Sequence, residues 1–438
     1  MKRKVICVFC AFCVTMAVTA QKYVGGDISL LPKYEANGAK YLDKDGKTIS
    51  GGMLTYFKAQ GWNAMRVRLF VDPSKAPAAH QGQGVCQDLE FVKSLGKQIK
   101  DAGLQFMLDF HYSDTWTDPG KHSTPSAWNS SDPEVLASTL YEYTKNCLNE
   151  LKTAGATPDF VQPGNEITYG MLWPTGHCYP DGGDYGSGTF ANFAKYLQAG
   201  IKAIRETTPD AKIVIQTEMS KAQNVTNFYR TLKNYTNDYD IIGISYYPYY
   251  HGNLPTLNTT LNTLEATYPD KKIQIVETGY YHAWYPDDAT YPITSFPNWP
   301  ATDAGQLQFT KDLITMLNKH ARVDGLYWWF PEANEYGLDW NTKRVTDSWY
   351  NASLFDNQTG KAMQALYVLK DFLGDDTSIR EEVGVRSEEQ TNTPVYDLQG
   401  RRVDVNDNNQ HSTFNVQRST FNLKKGVYIV NGRKVVVK

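Results

Sequence analysis

A chain of 438 residues can form one large domain and a smaller one, because hydrophobic cores stop growing near about 250 to 300 residues. Its 41% hydrophobic and 21% charged residues are typical of a globular protein, and its net charge of -3 argues against nucleic acid as a partner. Aromatic residues make up 13% of the chain, more than a core of this size requires, and flat aromatic rings are surfaces on which sugars stack.

Residues 1–20 have the pattern of a secretory signal peptide. Three basic residues precede an apolar run that reaches Val18, and small residues end the segment at Ala20. The run is shorter than the about 20 residues of a membrane-spanning helix, so we expect no transmembrane segment in the mature chain. We therefore expect a secreted or cell-surface protein, with the periplasm as the alternative. At most one disulfide can form among the cysteines that remain, Cys86, Cys147 and Cys178.

Between residues 22 and 374, short apolar runs alternate with longer amphipathic patterns. The predicted strands cover residues 23–29, 64–70, 104–110, 159–164, 212–217, 241–247, 272–277 and 323–329. Helices are predicted over stretches that include 87–102, 133–154, 190–206, 304–321 and 361–373. Eight strand–helix units in about 350 residues indicate an α/β fold of the (β/α)8 TIM barrel type. A doubly wound open sheet is the alternative, but no Gly-x-Gly-x-x-Gly or phosphate loop follows a strand.

The C-terminal part differs in character from the barrel segment. Residues 375–393 are acidic and polar and are predicted to be a linker. Residues 394–403 and 425–438 alternate apolar and polar positions around turns, which predicts a small β-rich module over 394–438. These segments resemble the C-terminal sorting domain of the type IX secretion route, and the resemblance implies export by that route. A small structural or carbohydrate-binding domain is the alternative.

Two glutamates follow predicted strands of the barrel. Glu166 comes after the fourth strand, in Gln-Pro-Gly-Asn-Glu, and Glu277 ends the seventh, in Ile-Val-Glu-Thr-Gly. A TIM barrel builds its site at the carboxyl ends of its strands, so both carboxyls are expected at one rim. Such a pair suits glycoside cleavage, in which one carboxyl protonates the leaving oxygen while the other attacks the anomeric carbon. Either glutamate alone would more simply be a solvated surface acid; the pair favours catalysis.

Several segments together resemble glycoside hydrolase family 53. They are residues 24–29, 65–73, 108–119, 164–166, 245–248, 276–280 and 325–329. The resemblance spans nearly all of residues 22–374, and the run Asp-Phe-His-Tyr-Ser-Asp-Thr-Trp over 109–116 is its most specific part. The family comprises the arabinogalactan endo-β-1,4-galactanases. It therefore implies an endo-acting, retaining hydrolase of β-1,4-galactan or type I arabinogalactan that requires no cofactor.

The resemblance also implies roles for single residues. Glu166 would be the general acid/base and Glu277 the nucleophile, and Asn165 would bind the 2-hydroxyl of the cleaved sugar. Tyr246 would steady the nucleophile, and Trp329 would be the platform under that sugar. A retaining mechanism needs carboxyls about 5 to 5.5 Å apart, of which one holds its proton, and the charge of the nucleophile raises the proton affinity of its neighbour.

Arg66 and Arg68 alternate along the second strand and so face the barrel interior together. Either could hydrogen-bond Glu277 and keep it charged, and Arg68, which is nearer the rim, is preferred. An ordinary buried salt bridge is the alternative, but no other partner is evident from the sequence.

Polar side chains cluster after the third strand, at Asp109, His111 and Asp114. A metal site is disfavoured because no second histidine stands at ligand spacing, and contact with sugar hydroxyls is expected instead. Rim loops also carry tryptophans that could line further sugar subsites or anchor loops: Trp116, Trp128, Trp173, Trp284 and Trp299.

The loop 278–305 is acidic, and in some relatives of the family it binds calcium. Its acids lack the spacing of a compact oxygen-ligand loop, so structural calcium stays a minor alternative. A β-mannanase or β-glucanase on the same scaffold is the nearest rival function. A polysaccharide-binding surface protein without catalysis would be expected to lack one rim glutamate, and this chain has both. We expect a monomer.

Overall fold

The computed structural model describes residues 21–219, 222–283, 299–339, 341–346 and 349–374, together with six C-terminal strands. The expected signal peptide 1–20 and linker 375–393 lie outside the described residues. The chain divides into two compact units, Met1–Leu373 and Gly374–Lys438.

The first unit contains a closed barrel of eight parallel strands in chain order, in which the eighth strand pairs with the first. The strands are β1 (Tyr23–Asp27), β2 (Ala64–Leu69), β3 (Gln105–Phe110), β4 (Phe160–Pro163), β5 (Lys212–Glu218), β6 (Ile241–Tyr246), β7 (Lys272–Thr278) and β8 (Val323–Trp329). The predicted (β/α)8 barrel is confirmed. The open-sheet alternative is wrong because β8 returns to pair with β1 along its whole length.

Helices surround the barrel. They are α1 (Leu31–Asn37), α2 (Met53–Ala59), α3 (Ala78–Gln81), α4 (Leu89–Asp101), α5 (Pro133–Thr153), α6 (Phe190–Thr207), α7 (Ala222–Leu232), α8 (Pro248–His251), α9 (Leu254–Thr267), α10 (Asp303–Leu317) and α11 (Gln364–Val368). Side-chain caps fix several starts: Asp88, Thr189 and Thr302 accept N–H groups of the first turns of α4, α6 and α10 at 2.8, 3.0 and 3.0 Å. Each such cap contributes about 1 kcal/mol.

The helix predicted over 361–373 is shorter than expected. Lys361 and Ala362 form backbone bridges with Leu42 and Phe355, so α11 begins only at Gln364. A 3₁₀ turn over Leu369–Leu373 completes the segment.

Side chains inside the barrel form two layers. The first is apolar and consists of Ala64, Met107, Phe160, Val214, Ile241, Val276 and Tyr327. The second layer is polar and lies two residues further along β2 to β5. It consists of the buried side chains Arg66, Asp109, Gln162 and Gln216. Positions two apart face the same side of a strand, so the polar layer lies directly toward the carboxyl ends of the strands. The interior thus becomes polar at the edge where such barrels carry their sites.

A β-bulge in β7 decides which way Glu277 points. Pairing with β6 skips one residue between Ile275 and Glu277, so Val276 is an extra residue. Since Val276 packs in the apolar interior layer, strict alternation would turn Glu277 outward. The bulge returns Glu277 to the interior, where it meets Arg66.

The second unit contains the strands β9 (Val395–Asp397), β10 (Arg402–Val403), β11 (Ser412–Val416), β12 (Ser419–Leu423), β13 (Gly426–Val430) and β14 (Arg433–Val437). Four of them form an antiparallel sheet in the order β10-β9-β13-β14, and β11 pairs with β12. Among the described residues of the first unit, Cys86, Cys147 and Cys178 are free thiols, so no disulfide links this part of the chain. No helix in the described part of the chain is both long and apolar enough to span a bilayer.

Candidate active site

A cavity of about 500 Å³ lies at the carboxyl ends of the barrel strands. Both predicted catalytic residues, Glu166 and Glu277, line it. The other predicted residues in its wall are Asn165, Arg68, His111, Trp116 and Trp329. Four predicted residues are not in the wall: Arg66, Asp109, Asp114 and Tyr246. The first two of these support the wall from beneath.

Glu277 is 4% exposed and accepts bonds on both carboxylate oxygens. Arg66 Nη2 lies 2.9 Å from Oε1, and Gln216 Nε2 donates to the same oxygen at 3.0 Å. The Tyr247 hydroxyl donates to Oε2 at 3.0 Å. Burial raises the pKa of Glu277, but Arg66 and Gln216 act in the opposite direction because they stabilise the anion.

Glu166 is 8% exposed and has a left-handed backbone, with φ 48° and ψ 47°. This conformation costs a non-glycine residue about 1 to 3 kcal/mol and is typical of functional sites. Its N–H donates to Gln216 Oε1 at 3.0 Å, and its carbonyl accepts from His122 Nε2 at 3.3 Å. Burial, and then the charge of Glu277, raise the pKa of Glu166 well above its usual range. Glu277 therefore ionises first and Glu166 holds the proton.

Arg66, and not Arg68, contacts the expected nucleophile. The fully buried Arg66 guanidinium lies 2.8 Å from Asp27 and 2.9 Å from Glu277. Arg68 instead lies against Asp27 at 3.3 Å and over the ring of Trp329, 4.7 Å from its centroid. The preference for Arg68 is wrong because the long Arg66 side chain reaches the carboxylate from two residues earlier on β2, whereas the Arg68 guanidinium lies over the ring of Trp329. Burial opposes the charge of Arg66, but the surrounding carboxylates raise its pKa overall.

The expectation for Tyr246 is wrong by one residue. Its hydroxyl donates to the carbonyl of Gly252 at 2.8 Å and its ring packs in the main core, whereas Tyr247 bonds Glu277. Ser245 faces the interior, and the backbone stays extended through Tyr247, with φ −126° and ψ 118°. Alternation from Ser245 therefore turns Tyr246 outward and Tyr247 inward.

Hydrogen bonds fix the orientation of Asn165 and His111 in the cavity wall. Asn165 Oδ1 accepts from Arg66 Nη2 at 2.9 Å, and Nδ2 donates to the Thr117 carbonyl at 2.7 Å. The N–H of Thr117 donates to His111 Nδ1 at 2.9 Å, so the proton of a neutral ring belongs on Nε2, which lies 3.0 Å from Asp109. Both side chains are thus held in one orientation in the cavity wall.

Asp114 lies outside the cavity wall. One carboxylate oxygen accepts the N–H of Asp72 at 3.1 Å and the other accepts the N–H of Ser126 at 2.8 Å. The residue joins two rim loops, and its expected contact with a sugar hydroxyl stays a prediction.

The rim tryptophans differ in position. Trp116 lines the cavity and stacks on His80 with ring centroids 4.0 Å apart. Trp128 and Trp299 are buried loop anchors. Trp173 donates through Nε1 to a backbone carbonyl at 3.1 Å. Trp284 lies outside the described residues.

No group of three or more His, Cys, Asp or Glu side chains is placed to hold a metal ion within the described ranges. Residues 284–298 form most of the acidic loop 278–305, the minor alternative for a calcium site, and they lie outside those ranges. Asp303, at its end, bonds the backbone and the side chain of Gln364 at 3.1 and 2.8 Å.

Sequence reasoning missed Gln216 and Glu218 on β5. Gln216 bonds both Glu166 and Glu277, and Glu218 lines the cavity. The signal was present in the predicted strand 212–217 and the residue after it, where polar residues occupy alternate positions of an apolar run. Such positions face one side of the strand, which in a barrel is the interior.

A closed (β/α)8 barrel with a proton-holding glutamate after β4 and a stabilised carboxylate on β7 defines a barrel enzyme of the glycoside hydrolase class. The glycosyl hydrolase family 53 profile matches residues 23–369. The chain belongs to this family, as its motifs predicted.

Relatives and solved structures agree with this assignment. An arabinogalactan endo-β-1,4-galactanase of Thermothelomyces thermophilus is 30% identical over 365 residues, which cover 80% of this chain and 99% of that protein. The family 53 catalytic domain of Ignisphaera aggregans matches with a TM-score of 0.69 at 31% identity, over 80% of this chain and 95% of that one. A structure of fungal β-1,4-galactanases matches with a TM-score of 0.66 at 28% identity, over 80% and 99%.

Proposed function

We propose that the protein is an endo-acting arabinogalactan β-1,4-galactanase that retains anomeric configuration. Membership of family 53 and nearly full-length similarity to galactanases support this function. The observation that carries the proposal is the unequal pair of buried glutamates, since Glu277 has Arg66, Gln216 and Tyr247 against its carboxylate and Glu166 does not.

In the proposed double displacement, Glu277 attacks the anomeric carbon while Glu166 gives its proton to the glycosidic oxygen, which departs with the leaving sugar. Glu166, now an anion, then takes a proton from water as that water attacks the glycosyl-enzyme ester and releases Glu277. Asn165, fixed at both ends of its amide, is proposed to bind the 2-hydroxyl. Trp329 and Trp116 are proposed to contact sugar rings in the cavity.

The choice of linkage is tested by reducing-end release from potato galactan, glucomannan and carboxymethylcellulose. Release from galactan with little from the other two is expected. Release from only the latter two would replace the proposal with a β-mannanase or β-glucanase.

Catalysis itself is tested with Glu277→Ala, which should remove nearly all turnover while galactan binding survives. Wild-type protein that binds galactan without any cleavage would favour the polysaccharide-binding alternative. Full turnover by Glu277→Ala would refute the role proposed for that residue.

For the whole chain we propose a signal peptide over 1–20, a catalytic domain over 21–374, a linker over 375–393 and a β-rich sorting module over 394–438. The mature protein would act as a monomer, outside the cell or at its surface, without a cofactor. N-terminal sequencing and fractionation of the native host test this arrangement, and retention in the periplasm alone would count against type IX export. Activity that is lost on chelation and restored by calcium would show that the ion is needed.

A further inference from the structure

The loop 170–188, which follows β4 and the 3₁₀ turn after it, carries a stack of aromatic rings outside the cavity wall, and two of these rings are exposed. The ring of Trp173 stacks on His177 at 3.5 Å, and His177 stacks on Tyr185 at 3.7 Å. Tyr179 lies beside Tyr185, with ring centroids 5.5 Å apart. Tyr179 and Tyr185 are 44% and 46% exposed, among the most exposed large hydrophobic side chains in the described part of the chain. We call these four side chains the aromatic platform.

The loop that carries the platform is rigidly built. Backbone bridges join Cys178 to Asp184 and Tyr185 to Gly188. A Cβ atom at Gly176 would meet a backbone carbonyl at 2.0 Å, and one at Gly188 would meet two at 2.3 Å, so the chain turns are close-packed. An exposed pair of tyrosines on such a loop is held in place before any ligand arrives, which lowers the entropy that binding costs.

The platform adjoins the catalytic face. The N–H of Trp173 donates to the carbonyl of His122 at 2.8 Å, and Thr124 Oγ1 donates to the Trp173 carbonyl at 2.9 Å. Residues 122 and 124 belong to the loop after β3 whose earlier part, including Asp118, lines the cavity. The loop also begins four residues after Glu166, the residue that protonates the leaving oxygen.

We propose that the aromatic platform is a distal binding site for the galactan chain, on the leaving-group side of the cleaved bond. The apolar C–H face of a galactose ring would stack on Tyr185 and Tyr179, while Asp181 and Asp184, exposed in the same loop, offer acceptors for its hydroxyls. The leaving sugar departs on the side of Glu166, and the loop continues from that strand. The inference rests on the proposed galactanase function, because it specifies where the same polysaccharide continues beyond the cavity.

The test compares Tyr179→Ala/Tyr185→Ala with the wild type on long potato galactan and on galactotetraose. The double variant is expected to raise KM on galactan roughly three- to tenfold at unchanged kcat, because two stacking rings are removed, and to leave galactotetraose kinetics unchanged. Tyr185→Phe keeps the ring face and should behave as wild type. Tyr235→Ala, at an exposed tyrosine between α7 and β6 whose ring packs on Phe190 and not on the platform, is the matched control and should change the kinetics on neither substrate.

Binding without turnover provides a second measurement. In a Glu277→Ala background, electrophoresis through gels that contain galactan should retard the protein, and adding Tyr179→Ala/Tyr185→Ala should restore much of its mobility. An unchanged KM on galactan, or an equal rise in KM on galactotetraose, would refute galactan binding at the platform. Wild-type protein that leaves galactan intact would instead refute the proposed function, and the gel mobility would then decide the platform alone.

Discussion

Replacing Arg66 with lysine tests the electrostatic core of the site. The guanidinium places Nη1 2.8 Å from Asp27 and Nη2 2.8 Å from Asp109 and 2.9 Å from Glu277, all in the buried interior. A lysine keeps the charge, but one compact ammonium group cannot reach all three carboxylates as the planar fork does.

The magnitude follows from the hydrogen bonds that lysine cannot make. Removing one hydrogen bond to a charged group costs about 1.5 to 3 kcal/mol. In a domain of about 350 residues each 1 kcal/mol lowers the melting temperature by roughly 1.4 °C, so a fall of roughly 2 to 4 °C is expected. Glu277 also loses part of the interaction that lowers its pKa. Because the nucleophile must be ionised, the acid limb of the kcat/KM profile should move to higher pH.

Thermal melts and the pH dependence of kcat/KM on galactan measure the two effects of Arg66→Lys independently. Arg68→Lys is the matched control, because Arg68 contacts Asp27 and the ring of Trp329 and has no contact with Glu277. It should leave the acid limb in place. An Arg66→Lys variant with the melting temperature and acid limb of the wild type would refute the reasoning.

Three further substitutions probe other contacts. Tyr247→Phe removes a donor 3.0 Å from the nucleophile and should lower kcat on galactan roughly ten- to hundredfold, whereas Tyr246→Phe should not. Glu218→Gln removes a charge that raises the pKa of the acid/base Glu166, so the basic limb of the kcat/KM profile should move to lower pH. Burial raises the pKa of Glu332 from 4.5 to about 8. Over this range the folded protein holds a proton that the unfolded chain has lost, so the folded state becomes less stable as pH rises. Glu332→Gln should therefore reduce the difference between melting temperatures at about pH 5 and about pH 8.

Three results would contradict these predictions. Equal kcat losses in the two tyrosine variants would mean that the hydroxyl of Tyr247 has no special role. A basic limb that stays in place would remove Glu218 from the control of proton affinity. A stability profile unaltered by Glu332→Gln would show that the buried carboxyl does not titrate over that range.

Local patterns predicted much of this molecule. Eight apolar runs separated by amphipathic stretches are sufficient for the barrel, since strand and helix periods are properties of the chain itself. Because Glu166 and Glu277 come at the ends of two of these runs, the sequence predicted that both lie at one rim of the barrel. The motifs around them indicated the family. The alternation along β2 also correctly predicted that Arg66 and Arg68 face the barrel interior.

Other features depended on neighbouring strands and could not be read from one segment. Only the pairing of β7 with β6 shows that Val276 is an extra residue and that Glu277 faces inward. Which arginine reaches the carboxylate depends on depth in the barrel, and which tyrosine does so depends on the register of β6. Sequence periodicity sets the direction of a side chain within its own strand, whereas contacts across the barrel depend on bulges, register and side-chain reach, which only the closed sheet determines.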